Sequence, residues 1–446
     1  LPRPMDRPDS SADMELWAIS LILLVVLAAL LGAGLWIAIA LLGVAIVAMT
    51  AFTNSPAGPL MATTIWGSSS SWSLTPLPLF IWMGEILFRT RISEDMFRGL
   101  APWVAPLPGR LMHTNVVGCG IFAAISGSSA ATAATIGRIT IPELLRRGYD
   151  ERMAIGSLAG AGTLGLLIPP SIIMIVYGVA ADVSIARLFV AGVLPGMLLM
   201  VLFSGYIAGW ALLNPARTPP RESITTLAEK IAAARFLIPT VLLIVGVIGS
   251  IYTGVATPTE AAALGVLGAL ILSFAGRSLT WSNFRASVMG AMKTSCMIAF
   301  ILTGAAFLTT AMGFTGIPRA MATWIGAQGF QAWQLIMVLT LLFIILGCFL
   351  DGISMVVLTA SVILPSVRAA GIDLLWFGIF IVLVVEMAQI TPPVGFNLFV
   401  LQGLTGKSMG FVARASLPFF ILLLVAVATV WIFPEIVSYL PSKMFK

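Results

Sequence analysis

Ser126, Gly127, Ser128 and Ser129 form a turn of small residues inside an apolar stretch, and a double proline, Pro169–Pro170, follows about 40 residues later. The arrangement recurs as LDGIS, Leu350 to Ser354, with Pro392–Pro393 again about 40 residues on, the copies being offset by roughly 225. A double proline breaks a helix, because each ring removes a donor and clashes with the preceding turn. The break leaves unpaired carbonyls on one side and unpaired N–H groups on the other, with about half a charge at each end. In hydrocarbon such groups persist only where they line a cavity or are buried in protein. The carbonyl ends near Ile125, Leu167, Leu350 and Ile390 suit a bare monovalent cation. The hydroxyls of Ser126, Ser128, Ser129, Ser354 and Thr391 are oxygen ligands of the same hard kind. The amide ends, beginning near Ser128, Ser171, Gly352 and Val394, suit a carboxylate. A cation beside an organic anion is the chemistry of sodium-coupled acid uptake, and paired breaks in matching halves point to such a site.

Other residues leave more than one role open. Asp351 stands at the second turn, where a charge at membrane depth costs about 2.5–3.5 kcal/mol on insertion scales. It could ligand a cation or cap the helix that follows. Glu386 lies about a turn before Thr391 and could belong to the site or pair with a cytoplasmic Lys or Arg. No arginine stands at either turn, so the amide ends, the hydroxyls and Asn397 must receive a carboxylate. In TPTEAAALG, Thr257, Pro258 and Glu260 read as a helix start with N-cap, first-turn proline and capping glutamate. A lone proline kink is mechanical and a lone Gly/Ala/Ser run is a close-packing face. The repetition of both at one spacing favours transport over a membrane scaffold.

Several chemistries are excluded. Cys119, Cys296 and Cys348 stand singly and His113 is the one histidine, so no transition-metal or haem site is expected. GLTGKS, Gly403 to Ser408, lacks the leading glycine of a phosphate loop, since Leu401 holds that place. His113 would be the base of a serine protease, yet it belongs near the cytoplasmic end of a hairpin helix, away from the serine turn.

The elements that position these residues follow from composition. The chain is 59% hydrophobic and 9% charged, and apolar runs long enough to cross a bilayer recur along it. It reads as an all-α polytopic membrane protein, and the net charge of +6 reports topology rather than nucleic-acid binding. Residues 1–15 are an extramembrane segment without a cleavable signal pattern. Residues 16–213 form a first repeat, with a re-entrant hairpin at about 111–147 and a broken helix at about 153–179. A polar, uncharged loop is expected at Thr53–Ser73. Residues 214–235 are a cytoplasmic linker. Residues 236–433 form a second repeat, with a hairpin at about 333–365 and a broken helix at about 374–404. Residues 434–446 are a C-terminal tail. Each half holds five spans plus one hairpin, and an odd number of spans turns the second half upside down, giving an inverted-topology repeat. Arg89, Arg98, Arg110, Arg146, Arg147, Arg152, Arg217, Arg235, Arg277, Lys407 and Arg414 gather on one side, which the positive-inside rule puts in the cytoplasm. Both termini are then outside; the first hairpin enters from the cytoplasm and the second from outside.

Five stretches resemble the DctM-type large membrane subunit of tripartite ATP-independent periplasmic (TRAP) transporters. They are SGSSAATAATIGRITIPELLRRGYD, AGAGTLGLLIPPSIIMIVYG, TPTEAAALG, GCFLDGISMVVLTASVILP and EMAQITPPVGFNLFVLQG. The resemblance implies an elevator-type transporter with scaffold and transport domains in the bacterial inner membrane. It implies two partners, a small four-helix DctQ-type membrane subunit and a DctP-type periplasmic binding protein, with lipid around the scaffold. Sodium ions would be the coupling ions, with no other cofactor, and the substrate an organic acid such as a C4-dicarboxylate or sialic acid. The family's sodium sites match Ser126, Gly127, Ser128 and Ser129 with Gly165 and Pro169, and Gly352 and Ser354 with Thr391 and Pro392; Asp351 stands beside the second set. Ser128, Ser171, Ser354, Val394 and Asn397 are the candidate substrate contacts. No enzymatic activity is expected. The alternative within transport is a stand-alone divalent-anion:sodium symporter of similar architecture.

Overall fold

A computed structural model of the chain describes residues 10–90, 92–219, 226–327, 331–347, 350–392 and 395–444. Pro393 and Val394 lie outside the described residues. Every regular element among the described residues is a helix. Five are long and apolar enough to cross a membrane: Ile185–Leu213, Pro258–Ala275, Trp281–Thr315, Gly352–Ala369 and Met409–Ile432. Two further pairs are bent at a break: Glu151–Leu167 with Ile172–Ala181 by 42°, and Leu227–Ala234 with Ile238–Tyr252 by 58°. Large apolar side chains on several of these helices face outward, including Val201, Leu242, Leu264, Ile271 and Phe274. In water such faces would be costly; in a bilayer they face chains of their own polarity.

The chain forms two compact units that cut across its linear halves. The first comprises Leu1–Trp72, Cys296–Leu339 and Val356–Leu374. In it Ser10–Gly32 packs on Ile37–Phe52, and Trp17 meets Trp324 edge to face at 5.8 Å. The second comprises Ser73–Ser295, Thr340–Met355 and Leu375–Lys446. Its centre is the helix Glu151–Leu167, which packs against His113–Ser126, Ser129–Arg146, Ile185–Leu213 and Met409–Ile432. Every residue from Met153 to Leu167 is buried, and so is every residue from Leu375 to Gln389. A helix buried all round belongs to the core of a bundle. Here both such helices run directly into the double-proline breaks.

One expectation is corrected, and two segments left undescribed by the sequence prove helical. The loop expected at Thr53–Ser73 contains the helix Ala57–Ser69. Its serines and lack of charge suggested a loop, but Leu60, Met61, Ala62 and Ile65 favour a helix, and Pro59 sits in the first turn, where no N–H is needed. The C-terminal tail contains the helix Glu435–Lys443, packed on Ile185–Leu213. The linker contains Leu227–Ala234, which begins with a capping box of Thr226 and Glu229.

The helix start read at Thr257 is present as expected. The Glu260 N–H donates to Thr257 Oγ1 at 3.3 Å, the Thr257 N–H donates to Glu260 Oε2 at 2.8 Å, and Pro258 opens the helix. Thr257→Ala removes one half of this exchange and should cost about 1 kcal/mol. Thermal unfolding of the purified variant should show a small drop in midpoint.

Candidate functional site

The first small-residue turn joins two helices, His113–Ser126 and Ser129–Arg146, that pack on each other. Gly127 closes the first in the left-handed region, with φ +57°. An L side chain seldom adopts this conformation, and a Cβ here would also lie 2.7 Å from the Pro170 carbonyl oxygen. Ser128 is the N-cap of the second helix; its Oγ accepts from the Ala131 N–H at 3.4 Å. Ser126 Oγ and Thr132 Oγ1 are 2.7 Å apart, and Thr132 donates to the Ser128 carbonyl at 2.8 Å. The turn is therefore a closed ring of hydroxyls and carbonyls.

This turn sits directly on the first break. The Ile172 N–H donates to the Gly127 carbonyl at 3.3 Å. A Cβ on Gly165 would lie 2.5 Å from the Ser128 carbonyl oxygen, so the two backbones touch. Pro169 and Pro170 are buried, and the buried Ser171 caps Ile172–Ala181 by accepting from the Met174 N–H at 3.4 Å. Pro169 and Pro170 offer no N–H to the carbonyls of Gly165 and Leu166, which leaves acceptors at the end of the first half-helix.

The second break reaches the same place. The buried Asn397, in Phe396–Thr405, donates its side-chain N–H to Ser129 Oγ across 268 positions of sequence. Its Oδ1 is buried and makes no hydrogen bond. An amide oxygen can meet a cation or a hydroxyl, whereas a carboxylate needs a donor. The N–H groups of this second half-helix start at Phe396, after Gly395, two residues beyond the point expected from the sequence. Thr391 donates to the Met387 carbonyl at 2.7 Å, and Pro392 follows it.

At the second turn Asp351 forms a helix cap. Asp351 Oδ2 accepts from the N–H of Ile353 at 3.1 Å and of Ser354 at 3.3 Å, and Oδ1 accepts from the Ser354 hydroxyl. Gly352 is buried against Val385 and the Gln389 side chain, and against Ile173, two residues past Ser171. Gly347 lies against Ala388. Ser354 is fully buried. The structure thus gathers the first turn, the first break and Asn397 into one cluster, and sets the second turn against the helix that ends at Gln389, two residues before Thr391. His113 opens the arm that ends at Ser126, a helix of 14 residues and so about 20 Å long at 1.5 Å per residue. Its Nε2 lies 2.6 Å from the Pro108 carbonyl, which leaves no base beside the serines.

Thr132, which closes the ring of the first turn, was missed in the sequence. Thr132 could have been found from its spacing, one helical turn past Ser128 and Ser129. Charged groups cluster at the opposite end of the core helix. Lys407 pairs with Glu151 at 2.9 Å, Arg217 with Asp150 at 3.8 Å, and Arg152 donates to the Arg414 carbonyl at 3.2 Å.

The family model "Tripartite ATP-independent periplasmic transporter, DctM component" matches residues 24–436. The C4-dicarboxylate TRAP transporter large permease protein DctM of Pseudomonas aeruginosa is 34% identical over 383 residues, covering 86% of this chain and 89% of that one. The isethionate TRAP transporter permease protein DctMQ of Oleidesulfovibrio alaskensis is 31% identical, covering 85% of this chain and 57% of that one. Among solved structures, the YdaH transporter of Alcanivorax borkumensis aligns with a TM-score of 0.59 at 13% identity, covering 84% of this chain and 89% of that one, a likeness of fold. The relatives are permease components of transporters rather than enzymes, and the apolar helices make this a multi-pass membrane protein. The chain belongs to the DctM family, the large permease component of TRAP transporters.

Proposed function

We propose that the chain is the translocating subunit of a TRAP transporter in the bacterial inner membrane, coupling uptake of a small organic acid to a sodium gradient. The observation that carries this reading is the meeting of Ser126–Ser129, the Gly165–Ser171 break and Asn397 in one buried cluster. Carbonyls denied a donor by proline, together with hydroxyl oxygens, make a cation site. Sodium would be held at Ser126, Gly127, Ser128 and Ser129 with Gly165 and Pro169, and at Gly352 and Ser354 with Thr391 and Pro392. Asp351 would act on the second ion through the cap it forms. The half-helix N-termini at Ser128, Ser171 and Gly395 would receive the carboxylate, since backbone N–H groups and the helix dipole favour an anion there. The halves 16–213 and 236–433 would be inverted repeats whose hairpins and broken helices move as an elevator.

A DctQ-type small subunit and a DctP-type binding protein would complete the system. The DctMQ relative, whose name joins the two membrane components and which extends well beyond the matched stretch, supports the first partner. The relatives' names include a C4-dicarboxylate and isethionate, so the substrate class reads as a small organic acid.

The test is uptake into proteoliposomes holding the chain and both partners, with radiolabelled succinate, N-acetylneuraminate and pyruvate as probes. Ser128→Ala and Asp351→Ala should each lower sodium-driven uptake about tenfold or more, the loss expected when a hydrogen bond to a charged group is removed. Unchanged uptake in both variants would place the ions elsewhere.

A further inference from the structure

Glu386 is fully buried in the last turn of the apolar helix Leu374–Gln389, and neither carboxylate oxygen makes a hydrogen bond of normal geometry. No charged side chain among the described residues acts on it. The cytoplasmic Lys or Arg partner considered from the sequence is therefore not there. Gln389 lies one turn on, on the same helix face, and its Oε1 is also buried without a partner. The polar groups nearest Glu386 on the neighbouring core helix are the Thr163 hydroxyl and the N–H of Leu167, the last residue of that helix, neither of them placed for a hydrogen bond of normal geometry. Thr163 already donates its proton to the Gly160 carbonyl at 2.8 Å, so it presents lone pairs.

Three acceptor oxygens on one helical turn thus lack a partner of normal geometry, and the Thr163 proton beside them is engaged elsewhere. A buried carboxylate left alone is among the most costly arrangements a membrane protein can hold. Acceptors do not satisfy one another. What completes an oxygen-rich, singly negative set is a hard cation.

We propose that Glu386, Gln389 and Thr163 form a third monovalent-cation position, between Leu374–Gln389 and Glu151–Leu167. It rests on the sodium-coupled reading but uses none of the groups assigned to the two turns. Its carboxylate would neutralise the charge of one ion, whereas the neutral ligands of the first turn depend on helix-end dipoles. An ion here would also bear on both breaks at once, since Leu167 precedes Pro169–Pro170 and Gln389 precedes Thr391.

The test is thermal unfolding of the purified full chain in detergent, with NaCl exchanged for choline chloride at constant ionic strength. Sodium should raise the wild-type midpoint, and Glu386→Gln should need about tenfold more sodium, or beyond, for the same rise. Thr163→Val, which keeps the shape of the side chain, should weaken the response in the same direction and serves if Glu386→Gln does not fold. A wild-type sodium response in Glu386→Gln, or in Thr163→Val where that variant stands in, overturns the position and means the carboxyl holds its own proton. If Ser128→Ala loses its response while Glu386→Gln keeps it, the coupling reading survives and this one fails. A wild type indifferent to sodium overturns both.

Discussion

Gly165→Ala should lower sodium-driven uptake by about a hundredfold, the loss that accompanies roughly 1 Å of misplacement at a site built on exact geometry. The added Cβ would lie 2.5 Å from the Ser128 carbonyl oxygen, 2.6 Å from its carbon and 2.8 Å from the Ser129 Cα. All three are backbone atoms, so no side chain can turn aside to make room. The turn itself is held, because Gly127 presses on Pro170 and accepts from the Ile172 N–H. Relief must therefore come from parting the turn and the break, which separates the oxygens proposed to share an ion. Overpacking of this sort costs about 1–3 kcal/mol in stability, so the variant should still fold. Gly209→Ala is the control: a Cβ there meets nothing within 4 Å. Initial uptake rates, normalised to reconstituted protein, should be wild-type for Gly209→Ala and near background for Gly165→Ala.

Gly156→Val should prevent assembly of the second unit. A Cβ on Gly156 would lie 2.2 Å from the Ala415 carbonyl oxygen and 2.9 Å from its carbon. One turn on, a Cβ on Gly160 would lie 2.6 Å from Phe419 Cβ. The two glycines form a smooth face on Glu151–Leu167 against which Met409–Ile432 lies in near-backbone contact, and small residues that admit such approach are what bind helices together in lipid. Phe419 is fully buried there and meets Phe203 and Tyr206 edge to face, so the helix cannot slide without undoing an aromatic cluster. Valine adds three carbons where even one does not fit. Size-exclusion profiles of the solubilised variant should show aggregate in place of a single symmetric peak.

What the sequence disclosed was local or chemically obligatory. Pro169 and Pro170 bring no N–H to the carbonyls of Gly165 and Leu166, so the first break could be read directly. The Thr257–Glu260 exchange spans three residues and needs no partner from elsewhere. Asp351 stayed open because a carboxylate beside a helix start serves as cap or ligand with the same spacing; the cap itself shows only in the positions of the Ile353 and Ser354 N–H groups. The helix Ala57–Ser69 was hidden by polar composition, which describes solubility better than it describes backbone. The bond between Ser129 and Asn397 was out of reach, since nothing local couples positions so distant. Glu386 illustrates the same limit: its neighbours Thr163 and Leu167 lie on the other half of the chain, and an orphan is recognised only once its surroundings are known.

The hydrogen bond from Asn397 to Ser129 has a consequence for leakage. It ties a turn of the first half to a broken helix of the second, so neither can shift to accommodate an occupant without disturbing its counterpart. A half-loaded state would strand a buried amide or hydroxyl, at a cost of about 1–3 kcal/mol. In the proposed cycle, partial occupancy is thereby disfavoured relative to empty and full. An ion in that cycle would then have little chance of slipping across unaccompanied.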